Sequence, residues 1–265
     1  MERQTTKTAA EHGIDSLADR PEVGSGWVRD EFVALASHEL KTPLTSLKLQ
    51  VQTMKHLVDR EPAASPAWAA TMLVTFDRQI GRLASLVEDL LLTTRIQAGE
   101  LTPAPEDVDL GALVREVVAD VVAQGRISGA SFTLELEEGL GGSWDRRLLA
   151  RVLFHLFKNA VTFGGHRPIT VAVHAEPGHA VRITVRDHGA GIAAEDLERI
   201  FDCFERAAPV EHFGGLGIGL YLARTIVRAH GGSIGVESEP GRGTTFTVEL
   251  PLAATEVREA VLLAA

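Results

Sequence analysis

Residues 37–44 read SHELKTPL and open a heptad-like apolar repeat that decides the N-terminal fold. Apolar residues then recur at spacings of 3 and 4, as on one face of a helix, at Leu44, Leu47, Val51, Met54 and Val58. After the breaker-rich turn EPAASP at 61–66, the period returns at Leu73, Phe76, Ile80, Leu83, Val87 and Leu90. The pattern predicts an antiparallel helical hairpin. One hairpin cannot cover its own apolar seam, so the sequence favours a homodimeric four-helix bundle with a core of Val51, Met54, Ile80 and Leu83.

His38 lies inside the first predicted helix, directly before Glu39 and five residues before Pro43. A proline within a helix removes a backbone donor and bends the axis, which is unexpected in a purely structural coiled coil. A neutral imidazole is a competent nucleophile, and an adjacent carboxylate can accept its proton or hold its tautomer. Thr42 follows one turn later on the same face, where it can hold a water or acceptor group. A surface helix histidine is the alternative for these residues taken alone.

Composition and charge exclude several classes of protein. The chain has 265 residues, 45% of them hydrophobic and 23% charged, as expected for a soluble globular protein of one large or two small domains. Its net charge of −10 argues against a nucleic-acid-binding surface. No apolar run reaches the ~18–20 residues of a transmembrane helix, and the polar N-terminal residues lack the apolar core expected of a signal peptide. The single cysteine, Cys203, excludes an internal disulfide, and a cytoplasmic location is expected.

Changes in composition and in apolar periodicity along the chain predict its domain organisation. Residues 1–26 are polar and predict a flexible N-terminal segment, and 27–99 contain the helical hairpin. The stretch GELTPAPED at 99–107 resembles an interdomain linker because it holds two prolines and a glycine. A second domain is predicted over 107–252, and 253–265 form a C-terminal tail that is either a short helix or disordered.

The second domain alternates between helical and strand patterns. Helices are predicted at 110–122, 145–163 and 216–230, and alternating apolar residues predict strands at 132–136, 169–173, 181–185, 234–236 and 245–250. Pro177 and Gly178 predict a turn between two of these strands. The expected fold is α+β, a sandwich of a mixed sheet with helices on one face.

Two glycine-rich segments and an asparagine are candidates for a ligand site in this domain. Residues 187–192 read DHGAGI and follow a predicted strand, so Asp187 can recognise an adenine amino group beside backbone that approaches closely. Residues 214–220 read GGLGIGL and open a helix, where glycine amides can bind phosphates. Asn159 lies on an otherwise apolar helix face and needs a partner, either Mg²⁺ bridging phosphates or a backbone carbonyl.

In sequence order, these segments resemble the motifs of sensor histidine kinases with a HisKA dimerisation domain and a HATPase_c domain of the GHKL ATPase type. SHELKTP at 37–43 is similar to the H-box, Asn159-Ala160 to the N-box and DHGAG at 187–191 to the G1-box. IFDCFER at 200–206 resembles the F-box and GLGIGL at 215–220 the G2-box, and HGG at 230–232 and GRGTTF at 241–246 resemble closing motifs. The likeness covers 28–252, and these motifs, each weak alone, are specific together because they occur in the expected order.

The resemblance implies roles for the first domain. His38 would be the phosphoacceptor, Glu39 its general base, and Thr42 would orient water when a partner is dephosphorylated. The activity implied is autophosphorylation from ATP, followed by transfer to an aspartate of a response regulator receiver domain. An upstream sensor domain or protein would supply the signal.

The resemblance also implies a nucleotide site that binds ATP and Mg²⁺. Asn159 would hold the metal, Asp187 would bind the adenine amino group beside Gly189 and Gly191, and 202–215 would form a mobile lid. Glycines of the G2-box would bracket the phosphates. The full set of implied binding residues is Asn159, Asp187, Gly189, Gly191, Phe204, Arg206, Gly215, Gly217, Gly219, Leu220 and Thr244.

Two positions depart from the family pattern. His155 stands where a second asparagine is frequent, and Thr162 stands where a lysine is usual. Loss of a cation near the phosphates would weaken ATP binding or slow transfer, and Lys158, Arg167 and Arg206 are candidates to compensate. The alternative function is a degenerate ATP-binding signalling module without transfer. A gyrase-like or chaperone ATPase is disfavoured because it lacks a phosphoacceptor hairpin.

Overall fold

The computed structural model describes residues 25–60, 66–123, 131–177, 180–205 and 216–252. Helices α1 (Ser25–Arg60) and α2 (Pro66–Gln97) pack along each other and confirm the predicted hairpin. Helix α1 begins two residues earlier than predicted, so 25 and 26 belong to the helix and not to the expected flexible segment. The rest of that segment and the 253–265 tail lie outside the described residues.

The second domain contains three helices and seven short strands among its described residues. The helices are α3 (Leu110–Ala123), α4 (Arg146–Phe163) and α5 (Gly219–Ala229). The strands are β1 (Glu106–Asp109), β2 (Phe132–Leu136), β3 (Gly141–Trp144), β4 (Ile169–Glu176), β5 (Ala180–Arg186), β6 (Ser233–Glu239) and β7 (Gly243–Pro251). Two short 3₁₀ turns, Ala194–Asp196 and Arg199–Phe201, had no counterpart in the sequence prediction.

The main sheet is mixed, as predicted. Its strand order is β2-β4-β5-β7-β6, with β2 parallel to β4 and every other pair antiparallel. Alternate residues of the central strands are buried, so one face of the sheet is apolar. That face forms a single core with the buried sides of α3, α4 and α5. The predicted α+β architecture is therefore confirmed.

The predicted linker is shorter than its composition indicated. Its last two residues, Glu106 and Asp107, belong to β1, which pairs antiparallel with β3 in a separate two-stranded sheet. Four residues of EDVD with one buried side chain carry no strand signal that could be distinguished from a loop. The backbone amide of Ala104 also donates to Asp145 Oδ2 at 3.0 Å, so the linker is tied to the second domain.

The last helix begins three residues later than predicted, at Gly219 instead of Leu216. Gly217 has φ +70°, and a Cβ there would lie 2.8 Å from the carbonyl oxygen of Glu205. That conformation belongs to the left-handed region and cannot continue a right-handed helix. The apolar periodicity of 216–230 concealed this break.

The hairpin carries a row of exposed apolar side chains. Those more than a third exposed are Leu44, Leu49, Val51, Leu73, Val74, Ile80, Val87 and Leu91. Of the four predicted bundle-core residues, Val51 and Ile80 are exposed in the single chain, and Met54 and Leu83 are half-buried. We refer to the row of exposed apolar side chains as the exposed stripe; so many exposed large apolar residues on one hairpin are typical of an interaction surface. Within the described residues, no helix is both long and apolar enough to cross a membrane.

Candidate functional site

A cavity of about 360 Å³ opens between α4, the loop after β5, the start of α5 and one side of α2. It brings together residues that are far apart in the sequence. The predicted binding residues that line it are Asn159, Asp187, Gly191, Gly217, Gly219, Leu220 and Thr244. The N-terminal end of α5 borders this space, and the free amides of a helix N-terminus favour anions.

Asp187 is buried at the end of β5 and has an asymmetric environment. Its Oδ1 accepts hydrogen bonds from the backbone amides of Gly189, at 2.8 Å, and Thr244, at 3.3 Å. No hydrogen bond within the described part of the chain engages Oδ2. Burial raises the pKa of Asp187, and the two amide hydrogen bonds oppose that rise. A carboxylate fixed on one side and facing a cavity on the other can receive a donor from a ligand.

Gly189 and Gly191 allow the loop after β5 to pack closely. A Cβ at Gly189 would lie 1.8 Å from the carbonyl oxygen of Phe163, and one at Gly191 would lie 2.0 Å from that of Glu239. Larger residues cannot occupy either position without moving the backbone. Gly189 does not line the cavity, and its contribution is the amide that holds Asp187.

Asn159 is half-buried on α4 and faces the same cavity. Among the described residues, its side chain has no recorded hydrogen bond. A half-buried amide that faces a cavity is suited to a ligand or to a hydrated metal. The same face of α4 contributes Lys158 and Thr162, and the Thr162 hydroxyl donates to the carbonyl of Lys158 at 2.7 Å.

Other predicted binding residues are not placed in the cavity. Phe204 does not line it, but its backbone amide donates to the carbonyl of Gly217 at 3.2 Å, and its φ is +71°. Arg206 and Gly215, with most of the predicted lid, lie outside the described residues. Arg167 donates to the carbonyl of His188 at 2.8 Å and does not line the cavity, so its proposed compensating role has no support from this geometry.

His38 lies on α1, away from the cavity, with 74% of its side chain exposed. Its Nδ1 is 3.8 Å from Glu39 Oε1, slightly beyond hydrogen-bond distance. The Thr42 hydroxyl donates to the His38 carbonyl at 3.2 Å, so the predicted one-turn neighbourhood is present. Pro43 has no N–H, and the carbonyl of Glu39 therefore lacks its usual helical donor. Of the described residues that line the cavity, none belongs to α1.

The sequence prediction missed residues that the hairpin contributes to the cavity. Leu86 and Asp89 on α2 line it, next to His155 on α4. His155, noted from sequence only as a departure, is buried and donates from Nε2 to Asp89 Oδ1 at 3.0 Å. No pattern within α2 could have revealed this contact because it depends on how the two domains dock.

Comparisons with known proteins agree with both parts of the chain. Residues 28–99 match the family described as His Kinase A (phospho-acceptor) domain. Residues 144–254 match the family described as Histidine kinase-, DNA gyrase B-, and HSP90-like ATPase.

Similar proteins include named sensor kinases. The alginate biosynthesis sensor protein KinB of Pseudomonas aeruginosa is 34% identical over 85% of this chain and 37% of its own length. The sensor histidine kinase RppB of Synechocystis is 33% identical over 91% of this chain and 53% of its own length. Full-length ShkA, solved in complex with AMPPNP, has a TM-score of 0.58 and 25% identity over 84% of this chain and 45% of ShkA.

The order of domains, the cavity and the exposed histidine together define a two-domain protein of the histidine kinase class. The chain belongs to the sensor histidine kinases of two-component systems, with a HisKA domain followed by a HATPase_c domain. It spans between 37% and 57% of the length of the curated relatives that it matches.

Proposed function

We propose that this chain is an ATP-dependent histidine kinase that phosphorylates His38 and passes the phosphoryl group to an aspartate of a response regulator. The observation that carries the proposal is the cavity in which Asp187, Asn159 and the glycines at the start of α5 converge. A separate hairpin presents the exposed imidazole of His38 next to a carboxylate. Incubation with ATP labelled at its γ-phosphate, followed by a test for phosphohistidine, checks this function.

The adenine end of the nucleotide is proposed to contact Asp187. Its Oδ1 is already held by two backbone amides, which leaves Oδ2 to accept a hydrogen bond from the adenine amino group. The phosphates would lie toward Gly217 and Gly219, where the N-terminus of α5 favours negative charge. Lys158 lines the same space. It is the candidate to contact the phosphates in place of the lysine that is usual at position 162, where this chain has threonine.

Magnesium fits the donor set at the phosphate end. The Asn159 side chain supplies an oxygen ligand, and Mg²⁺ in nucleotide sites commonly binds through one or two protein oxygens plus phosphates and water. A bound Mg²⁺ would neutralise charge on the phosphates and orient the leaving group. The chain's own part is to hold the triphosphate between Asn159 and the glycine backbone.

Phosphoryl transfer is proposed to begin with His38 Nε2 as nucleophile. Because Glu39 lies nearer to Nδ1, it can accept or hold the Nδ1 proton and leave the Nε2 lone pair free. Nε2 forms a bond to the γ-phosphorus while the bond to the β,γ-bridging oxygen breaks, and ADP leaves. When the kinase instead removes the phosphoryl group from the response regulator, Thr42 would orient the attacking water molecule.

Reacting atoms must approach to about 3–3.5 Å before transfer. Since the cavity has no lining residue from α1 among the described residues, His38 reaches the nucleotide only after the ATP-binding domain moves or when the partner subunit supplies the histidine. The proposed boundaries that permit this are 27–99 for the phosphoacceptor domain and 107–252 for the ATP-binding domain. An upstream sensor would regulate the movement.

The exposed stripe of the hairpin is proposed to form the core of a homodimer. Ile80 is 57% exposed in the single chain, so Ile80→Asp should leave the chain folded and place an unpaired charge in the four-helix core. Such burial costs several kcal/mol, and we expect monomers by light scattering. Val122→Asp is the matched control because Val122 is 49% exposed on α3 of the other domain. A dimer of unchanged stability in Ile80→Asp would contradict the bundle.

A further inference from the structure

A buried ionic cluster joins the hairpin to the ATP-binding domain. Asp89 on α2 is 5% exposed, and its Oδ1 accepts hydrogen bonds from His155 Nε2 at 3.0 Å and Arg151 Nε at 2.8 Å. Arg151 also donates to the carbonyl of Ser85 at 2.7 Å and to Glu88 at 2.5 Å. Burial raises the pKa of Asp89, but the charge and hydrogen bonds of His155 and Arg151 outweigh it and hold that pKa below its usual value.

Asp89 and Glu88 are neighbours on α2 but have different surroundings. The Glu88 side chain is 65% exposed, whereas that of Asp89 is 8% exposed and lines the nucleotide cavity. Exposed ion pairs contribute little because water screens them. A buried carboxylate depends on its partners, and those partners depend on it. Substitution of Glu88 therefore tests an exposed contact at the edge of the interface, and substitution of Asp89 tests a buried contact that lines the nucleotide cavity.

His155 transmits the position of Asp89 to the start of α5. A Cβ added at Gly219 would lie 2.9 Å from His155 Nδ1, so the ring packs directly on the glycine backbone. His155 is buried, with 3% of the residue exposed, so its ring cannot change position without displacing its neighbours. If Nε2 lost its acceptor, the ring would have to move, and the backbone at Gly219 would move with it.

We propose that Asp89, a residue of the phosphoacceptor hairpin, is a positioning residue for the nucleotide: it fixes His155, and His155 fixes the backbone at Gly219. This inference rests on the proposed nucleotide site. It follows that nucleotide binds more tightly while the ATP-binding domain is docked on α2 in this arrangement than after the domain has moved. By thermodynamic reciprocity, bound nucleotide stabilises the docked arrangement to the same extent.

Calorimetric titration of the full chain with ADP tests the proposal. Asp89→Ala removes the acceptor that His155 Nε2 and Arg151 use, and we expect ADP to bind roughly tenfold more weakly. Glu88→Ala is the matched control on the same helix turn and should change the dissociation constant by less than about twofold. The hydrogen bond from Arg151 to the Ser85 carbonyl is available in both variants. Thermal melting verifies that each variant is folded.

A double-mutant cycle distinguishes positioning from a general structural effect. In a His155→Ala background, Asp89→Ala should weaken ADP binding by less than about twofold, because the intermediary is already gone. An equal loss in both backgrounds would overturn the proposal, as would unchanged affinity in Asp89→Ala. Failure of the proposed function has a different result: the wild-type chain would bind no ADP, or would bind it and form no phosphohistidine.

Discussion

His38→Gln is expected to abolish all acid-labile, base-stable label when the chain is incubated with ATP labelled at its γ-phosphate. Phosphohistidine has this stability profile, whereas phosphoserine does not. Glutamine retains a polar side chain on an exposed helix position, so the fold and the nucleotide cavity should be unaffected. ADP titration of the variant should therefore match wild type, which separates loss of the acceptor from loss of ATP binding.

A second histidine on the same helix provides the control for this experiment. His56 is exposed on α1, and His56→Gln should leave labelling at the wild-type level. Label that survives in His38→Gln would show that another residue accepts the phosphoryl group. Absence of label in the wild-type chain, with normal ADP binding, would instead support a module that binds nucleotide without transfer.

Asp187→Asn is expected to weaken ATP and ADP binding by roughly 10- to 150-fold, the value of a lost charge-assisted hydrogen bond. The asparagine oxygen can replace Oδ1 as acceptor for the amides of Gly189 and Thr244. The amide nitrogen then stands in the place of Oδ2, where it opposes the adenine amino group with a second donor. Isothermal titration should show the same loss with Mg²⁺ and with EDTA, because the adenine contact needs no metal.

The same variant should be more stable than wild type in the absence of nucleotide. Burial raises the pKa of Asp187 above its ordinary value of 3.8, so the folded state binds the proton more tightly than the unfolded state. For a carboxyl group, this contribution to stability is complete below pH 3.8 and is lost as the pH rises through the folded-state pKa. Neutral asparagine has no such loss, and its melting temperature at pH 7 should exceed that of wild type. Lower stability at pH 7 would show that ionised Asp187 is favourably solvated.

Asn159→Ala distinguishes the contribution of Mg²⁺ to nucleotide binding from that of the adenine contact. Removing one oxygen ligand should weaken binding of Mg-ATP, and the loss should nearly vanish when EDTA is present. Asp187→Asn and Asn159→Ala would then differ in metal dependence although both residues line one cavity. Equal metal dependence in the two variants would contradict the assigned roles while leaving the kinase activity itself intact.

Local pattern was enough to determine the architecture. The 3-and-4 spacing from Leu44 to Val58 identified the hairpin, and the alternation at Ile169, Val171 and Val173 identified a half-buried strand of the sheet. These patterns are visible in the sequence because a helix or strand that buries one face has apolar residues at the period of that element. The motifs around His38 and Asp187 could also be identified from the sequence because each is local. Thr42 and Pro43 follow His38 within five residues, and Gly189 and Gly191 follow Asp187 within four.

Positions that depend on a single backbone angle were not determined by pattern. The periodicity of 216–230 predicted a continuous helix, but the left-handed φ of Gly217 delays its start to Gly219. Likewise, β1 pairs with β3 across more than 30 residues, and neither EDVD nor GGSW has an alternation that marks a strand. Short elements are stabilised by their partners and not by their own sequence.

What the sequence alone determined is a two-part chain in which His38 lies on a helical hairpin and the predicted nucleotide-binding residues lie on an α+β domain. Only the tertiary structure decided that Asp89 of the hairpin lines the cavity and hydrogen-bonds to His155 behind Gly219. The physical reason is that a buried ion pair between domains has no periodicity. Residues 66 positions apart meet because two folded surfaces dock, and charge complementarity becomes visible only once they have.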